Sequence, residues 1–125
     1  MQTVTEFMEQ FRTGRTEVLK KMDATTGLFR QRFLTPECKY WYSDMLKESE
    51  AEAILSVSEA KGSAEVISSG CGTGGRRLRY SLKSSPEGWL VDEVDWECGF
   101  CKGTGVRKER PCRLCKGKGW VGGNR

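Results

Sequence analysis

The chain contains no histidine among its 125 residues, which removes the side chain most often used as a general acid or base near neutral pH. An acid or base in a pocket of the larger domain would then have to come from Asp44, Asp92, Glu93, Asp95, Tyr40, Tyr42 or Tyr80. No run of eighteen or more apolar residues occurs, so no helix is expected to span a membrane. The segment Met1-Gln2-Thr3-Val4-Thr5-Glu6 lacks the basic stretch and apolar run of a secretory signal. Proline is scarce, and two of its three occurrences, Pro36 and Pro86, fall at expected element boundaries. Of six cysteines, Cys38 and Cys71 stand without a paired neighbour. The first reads as a small apolar helix residue and the second as a lone loop thiol.

The other four cysteines form two copies of one motif, Cys-x-x-Cys-x-Gly-x-Gly. One copy runs from Cys98 and Cys101 to Gly103 and Gly105, the other from Cys112 and Cys115 to Gly117 and Gly119. Two such pairs about ten residues apart can supply four thiolates to one tetrahedral zinc ion, the closed arrangement of a structural site. Two intervening residues let the chain turn tightly enough for both sulfurs of a pair to face one ion. The trailing glycines permit positive φ and close backbone approach. Disulfide formation is the competing reading. Thiols in this pattern, with no secretory signal, point to a reducing cytoplasm.

Charge divides the chain near residue 97. Residues 98–125 carry eight basic side chains (Lys102, Arg107, Lys108, Arg110, Arg113, Lys116, Lys118, Arg125) and the single acid Glu109, a net +7. Residues 1–97 carry the other 13 basic and 16 acidic groups, a net −3. Four thiolates around one zinc ion would contribute −2 and leave the tail at about +5. A boundary is therefore expected there, with a larger domain over 1–97 and a zinc hairpin with a basic tail over 98–125.

Thr3 followed by Glu6 fits a capping box, and Val4, Phe7, Met8, Phe11, Val18, Leu19 and Met22 recur at helical spacing. The pattern predicts a helix from about 4 to 22, weakened by Gly14 and ended before Gly27. Thr35-Pro36-Glu37 is a second start signal, for a helix over 36–48 with Cys38, Trp41, Tyr42 and Met45 on its inner stripe. Leu28, Phe29, Phe33 and Leu34 are expected to plug the core between them. After residue 50 the period becomes two. Ala53, Leu55 and Val57 mark a half-buried strand over 52–60, and Ala64–Ser68 a second strand after the turn Lys61-Gly62-Ser63. Leu78, Tyr80 and Leu82 mark a third, and Trp89–Trp96 a fourth beyond the turn Ser85-Pro86-Glu87-Gly88. Successive short strands should pair antiparallel with the helices on one face, an α+β fold. Gly70-Cys71-Gly72-Thr73-Gly74-Gly75 satisfies a dinucleotide-loop pattern, but a strand rather than a helix is expected after it, so it reads as a hairpin loop.

The two cysteine motifs resemble half of the zinc-binding cysteine-rich region of DnaJ-type chaperones, which has four such repeats and two zinc sites. The resemblance covers about residues 98–119. It implies that Cys98, Cys101, Cys112 and Cys115 are metal ligands and that Gly103, Gly105, Gly117 and Gly119 are the turn glycines. Without histidine these residues hold no His-Pro-Asp signature, so stimulation of a partner chaperone through a J domain is excluded for them. Residues 1–96 show a looser resemblance to the NTF2-like (cystatin-like) fold. It rests on helices followed by a strand meander, with a final hairpin running from Arg79-Tyr80-Ser81 to Gly88-Trp89 and an apolar-acidic stretch ending at Val94. That fold is a cone with a pocket between sheet and helices, and it hosts binders, a few isomerases and many interaction modules.

Three functional readings follow. In the leading one the chain is a non-enzymatic zinc-binding protein, a scaffold or interaction module presenting a basic, partly apolar surface to another protein. Its contacts would include Phe100, Lys102, Arg107, Lys108, Arg110, Arg113, Leu114, Lys116, Lys118 and Trp120. Phe100, Leu114, Trp120 and Val121 could instead pack against Trp96 and anchor the hairpin. In the second reading the same basic groups bind nucleic acid, with Phe100 and Trp120 stacking on bases. In the third, small-molecule binding or isomerase chemistry occurs in the pocket of the cone. The zinc would be a single structural ion, since four thiolates leave no open position for water. A homodimer through the open sheet face is a further expectation.

Overall fold

A computed structural model of the chain describes residues 3–21, 26–38, 53–69 and 77–122, with side chains described at these positions except 16–21, 26–29 and 122. Helix α1 (Val4–Lys21) starts at the expected cap. Thr3 Oγ1 accepts the Glu6 N–H at 3.1 Å and Glu6 Oε1 accepts the Thr3 N–H at 3.4 Å, so both orphan amides are satisfied. Val4, Phe7, Met8, Phe11 and Arg15 follow at helical spacing and are all buried. Helix α2 (Thr26–Phe33) was not foreseen as an element. It is eight residues long, has no acid in its first turn and contains Gly27, so its one sequence signal is Arg30 and Arg32 in the last turn. Phe33 and Leu34 are buried as expected, whereas the side chains of Leu28 and Phe29 lie outside the described residues.

The described start of the segment expected to be helical over 36–48 is a turn. The Cys38 N–H donates to the Thr35 carbonyl at 3.1 Å across Pro36 and Glu37. Tyr40, Trp41, Tyr42, Asp44 and Met45 lie outside the described residues, as do Met22 and the segment Gly70–Gly75, with Cys71, that is expected to be a hairpin loop.

Five strands form one curled antiparallel sheet in the order β1-β2-β3-β4-β7. They are β1 (Ile54–Ala60), β2 (Ser63–Ser68), β3 (Leu78–Ser85), β4 (Gly88–Glu97) and β7 (Trp120–Gly122). A separate ribbon pairs β5 (Val106–Arg107) with β6 (Arg110–Pro111). The architecture is α+β, and the sheet continues past residue 97 because β7 pairs with β4.

Register explains which side chains meet the helices. Val57, Val66, Tyr80 and Val94 lie opposite one another across four strands, and Ala64, Leu82 and Val91 form a second row. A register shift between Ser81 and Leu82 leaves Asp92 without a direct partner. That bulge keeps Val91 and Val94 on one face although their spacing is odd. Against these rows pack the aromatic side chains of the helices. Phe11 meets Tyr80 edge-on at 5.5 Å and Phe33 at 5.9 Å, while Phe7 meets Phe33 at 6.0 Å. Arg15 is wholly buried among them, donating to the Tyr80 hydroxyl at 2.9 Å, with its guanidinium 5.3 Å from the Phe11 ring centre.

The inward face of β1 differs from expectation. Leu55 is 56% exposed and Val57 39%, while Ile54 packs against the core. The cause is twofold. The register is irregular between Ile54 and Ser56, which puts Leu55 out of phase. Val57 does share the face of Val66, but β1 is the edge strand, where less covers it.

Truncation tests this assignment. Phe11→Ala is expected to cost about 3–5 kcal/mol and Leu82→Ala about 2–5 kcal/mol. Leu55→Ala should stay within about 0.5 kcal/mol of the parent. Urea unfolding of the three variants provides the comparison, and a large loss for Leu55→Ala would refute the register described for β1.

Candidate metal centre

Cys98, Cys101, Cys112 and Cys115 are all buried, and their sulfurs lie within 4.8 Å of one another. The Sγ atoms of Cys98 and Cys112 are 3.8 Å apart, and those of Cys101 and Cys115 are 3.7 Å apart. These are non-bonded distances, and all four cysteines are free thiols. A tetrahedron of sulfurs about 2.3 Å from a central ion has edges of about 3.8 Å. The cluster therefore fits one four-coordinate metal ion.

The two repeats build this geometry in the same way. In the first, Lys102 and Gly103 take positive φ (55° and 80°), and the Gly103 N–H donates to the Cys98 carbonyl at 3.1 Å. In the second, Lys116 and Gly117 do the same (56° and 82°), and the Gly117 N–H donates to the Cys112 carbonyl at 3.1 Å. This turn swings the next glycine amide onto a sulfur. The Gly105 N–H donates to Cys101 Sγ at 3.3 Å and the Gly119 N–H to Cys115 Sγ at 3.1 Å. Both bonds favour the thiolate, the form that binds metal. Burial works against ionisation of Cys101, but the Gly105 amide and the company of the Cys115, Cys98 and Cys112 sulfurs outweigh it and lower the thiol to about 6. At Cys112 the Cys115 amide favours the thiolate, yet burial and proton sharing with Cys115 and Cys98 leave the thiol raised. Neighbouring thiolates oppose one another when no cation lies between them.

The repeats also hold each other reciprocally, as if related by a two-fold axis. The Cys98 N–H donates to the Gly119 carbonyl at 2.9 Å, and the Cys112 N–H to the Gly105 carbonyl at 2.8 Å. A Cβ at Gly105 would lie 2.4 Å from the Gly117 carbonyl oxygen, and one at Gly119 would lie 2.6 Å from that of Gly103. Only glycine fits at either position. Between the repeats, β5 and β6 are joined by Lys108 and Glu109, both at positive φ (52° and 64°), a conformation that Asn-Gly adopts with less strain.

Strand β7 ties this unit to the sheet. Opposite partners Trp96 and Val121 link the two apolar clusters, for Trp96 packs on the main core and Val121 on the cysteines. On the other face, Glu97 accepts from Arg77 through its backbone N–H (3.1 Å) and its Nε (3.0 Å). Arg79 donates to Asp95 from Nε at 3.1 Å and Nη2 at 2.8 Å. Both guanidiniums also lie over the Trp120 ring, Arg79 at 4.9 Å and Arg77 at 5.4 Å. Trp120 is thus a half-buried anchor, but through Arg77 and Arg79 rather than against Trp96, and of the four side chains expected at Trp96 it is Val121 that lies opposite it. The remaining surface candidates, Phe100, Lys102, Arg107, Lys108, Arg110, Arg113, Leu114, Lys116 and Lys118, are all exposed. The structure adds Val106 to them, 52% exposed on β5.

Among the described residues, the acids considered for catalysis do not converge. Asp92 accepts the Thr35 hydroxyl at 2.7 Å and pairs with Lys83 at 3.2 Å. Asp95 belongs to Arg79, and Glu93 is exposed opposite Ser81. Tyr80 lies in the packed core with Arg15. A depression of ≈ 310 Å³ is lined by Ser58, Glu65, Ser81, Lys83 and Asp92, the first three opposite one another on the face turned away from Val66 and Tyr80. Tyr40, Tyr42 and Asp44 lie outside the described residues. No described helix is long and apolar enough to cross a membrane. No family model, curated protein or solved structure matches the chain.

Gly105→Ala is expected to abolish stoichiometric metal binding, because its Cβ would strike backbone that cannot move without separating the repeats. Gly62→Ala, also at positive φ but facing open space, should keep the metal and cost about 1–2 kcal/mol. Metal analysis and thermal unfolding of both variants distinguish close packing from φ strain alone.

Proposed function

We propose that the chain is a non-enzymatic zinc-binding protein of the cytoplasm, a scaffold or interaction module whose zinc-built tail contacts another protein. The observation that carries this reading is the buried sulfur tetrahedron, whose two loops leave Phe100 and Leu114 exposed at equivalent positions of the two repeats. Zinc is favoured over other divalent ions because four thiolates in tetrahedral array suit its size and lack of geometric preference. With every position taken by sulfur, the ion has no site for water and acts structurally. The likeness of residues 98–119 to half of a DnaJ-type cysteine-rich region is consistent with this role. An NTF2-like scaffold for residues 1–96 agrees with helices packed on a curled meander.

Support for the nucleic-acid alternative is weaker, because Trp120 is engaged by Arg77 and Arg79 and is not open for stacking on a base. Small-molecule chemistry in a cone pocket finds little support among the described residues, since the helix side of the sheet is filled by packed side chains.

Purified under reducing conditions, the chain should contain one zinc ion. Chelation should release it and remove hydrogen-exchange protection from residues 98–122, while α1 and β1–β4 stay protected. Such sites contribute on the order of 10 kcal/mol to local folding. Acid should act like chelation, because protons compete for the thiolates, so metal loss and loss of tail protection should share one pH midpoint. Absence of stoichiometric metal, or uniform loss of protection over the whole chain, would count against the proposal.

A further inference from the structure

Three of the five exposed large apolar side chains among the described residues lie on the metal unit: Phe100 at 49%, Val106 at 52% and Leu114 at 53%. Phe100 and Leu114 are the third residues of the two Cys-x-x-Cys loops, so the near two-fold relation of the repeats places them equivalently about the metal. Phe100 has a cation stacked on it, and Leu114 has one next to it in sequence. The Arg107 guanidinium lies 3.5 Å from the centre of the Phe100 ring, and Leu114 directly follows Arg113, both exposed. The single acid among these residues, Glu109, sits at the tip of the β5–β6 ribbon.

From this arrangement we infer that the metal unit docks an acidic polypeptide segment in which carboxylates alternate with apolar side chains. The inference rests on the interaction-module reading above and adds the chemistry of the partner. Charge complementarity selects an acidic ligand, since the tail keeps a net charge of about +5 after four thiolates and a divalent ion are counted. Apolar contact then selects protein over nucleic acid. Strand binding in a basic groove depends on open aromatic faces for the bases. Here one face of Phe100 is covered by Arg107, Trp120 is held by Arg77 and Arg79, and Val106 and Leu114 have no ring. Exposed apolar side chains on a strongly basic unit, one of them stacked under a guanidinium, match Leu or Phe side chains flanked by Glu or Asp. Arg107, held flat on Phe100, keeps its N–H edge free to meet a carboxylate in a fork while its face remains apolar.

The test uses the full metal-loaded chain and fluorescence anisotropy with four short labelled probes. These are a Glu-rich peptide interspersed with Leu and Phe, the same peptide with Ser for Leu and Phe, its Lys-for-Glu counterpart, and single-stranded oligothymidylate. The acidic-apolar peptide should bind tightest, with the Ser version weaker by at least about tenfold and the Lys version not binding. The double variant Phe100→Ser/Leu114→Ser should lose about tenfold or more for that peptide at unchanged zinc content and helix signal. Arg107→Glu/Arg113→Glu should lose it as well. Oligothymidylate binding as tightly as the acidic-apolar peptide, indifference to Phe100→Ser/Leu114→Ser, or no binding of any probe by zinc-loaded chain would each overturn the inference. Two further measurements separate its failure from that of the underlying reading. If Phe100→Ser/Leu114→Ser still abolishes cross-linking to a cellular protein, only the partner chemistry is wrong. If zinc-free chain binds the acidic-apolar peptide as well as zinc-loaded chain does, the metal-built surface itself is wrong.

Discussion

Four buried sulfurs within 4.8 Å of one another are the constraint on which the C-terminal part of the molecule depends. As thiolates without a cation they would repel by roughly 4 kcal/mol per pair at an effective dielectric constant of about 20. As neutral thiols they would lose the reason for accepting the Gly105 and Gly119 amides so closely. The backbone around them is strained in a consistent way. Every described non-glycine residue at positive φ, Lys102, Lys108, Glu109 and Lys116, lies between Cys101 and Gly117. Each such residue costs about 1–2 kcal/mol relative to ordinary backbone. Few apolar side chains are available there to offset this, since Val121 is the one described partner of the cysteine cluster. A metal ion bound by the four sulfurs would supply the missing term, at the point where both repeats converge.

The ion alone would leave a rigid knot on a loose tether. Strand β7 prevents that by returning the chain to β4 immediately after the second repeat, so that both ends of the metal unit leave from adjacent strands. Trp96 and Val121 face the interior together, while Glu97, Arg77, Arg79, Asp95 and Trp120 lock the opposite face. Partly buried ion pairs of this kind contribute modestly to stability. Their value here lies in orientation, since they fix Trp120 and with it the direction in which the two cysteine loops project. Charge and composition change at residue 97, yet hydrogen bonding runs through it. The two observations are compatible if the tail is folded by metal and aligned by the sheet.

Much of this was legible beforehand because its causes are local. Cysteine spacing fixes what one tetrahedral ion can reach, the Thr3–Glu6 cap is satisfied within one turn, and the alternation of Leu78, Tyr80 and Leu82 maps directly onto one face of β3. The features that escaped are those decided by distant partners. Helix α2 has weak signals of its own and packs beside α1 and β4. The exposure of Leu55 follows from a register irregularity set by β2, which alternation within β1 cannot reveal. Arg15 lies on the inward stripe four residues after Phe11, so spacing alone could have placed it, but a charged side chain masks the pattern until Tyr80 is seen to receive it. Strand β7 is three residues long and becomes a strand because β4 has an open edge beside it.

The distribution of polar groups then separates supporting roles from outward-facing ones. Asp92, Asp95, Glu97, Arg77, Arg79 and Arg15 each have a partner within the fold. Their charges serve curvature, packing and the seating of β7. The cations of the cysteine unit differ: Arg107 is stacked on Phe100, and the others are exposed on the same unit as the exposed apolar side chains Phe100, Val106 and Leu114. Large exposed apolar side chains concentrated on one small unit are candidates for contact with a partner. Beside β7 the sheet pairs its charges internally, Arg77 with Glu97 and Arg79 with Asp95, whereas the tail's described cations are turned outward. That asymmetry, together with the cysteine cluster, is what the proposed recognition role of the cysteine loops rests on.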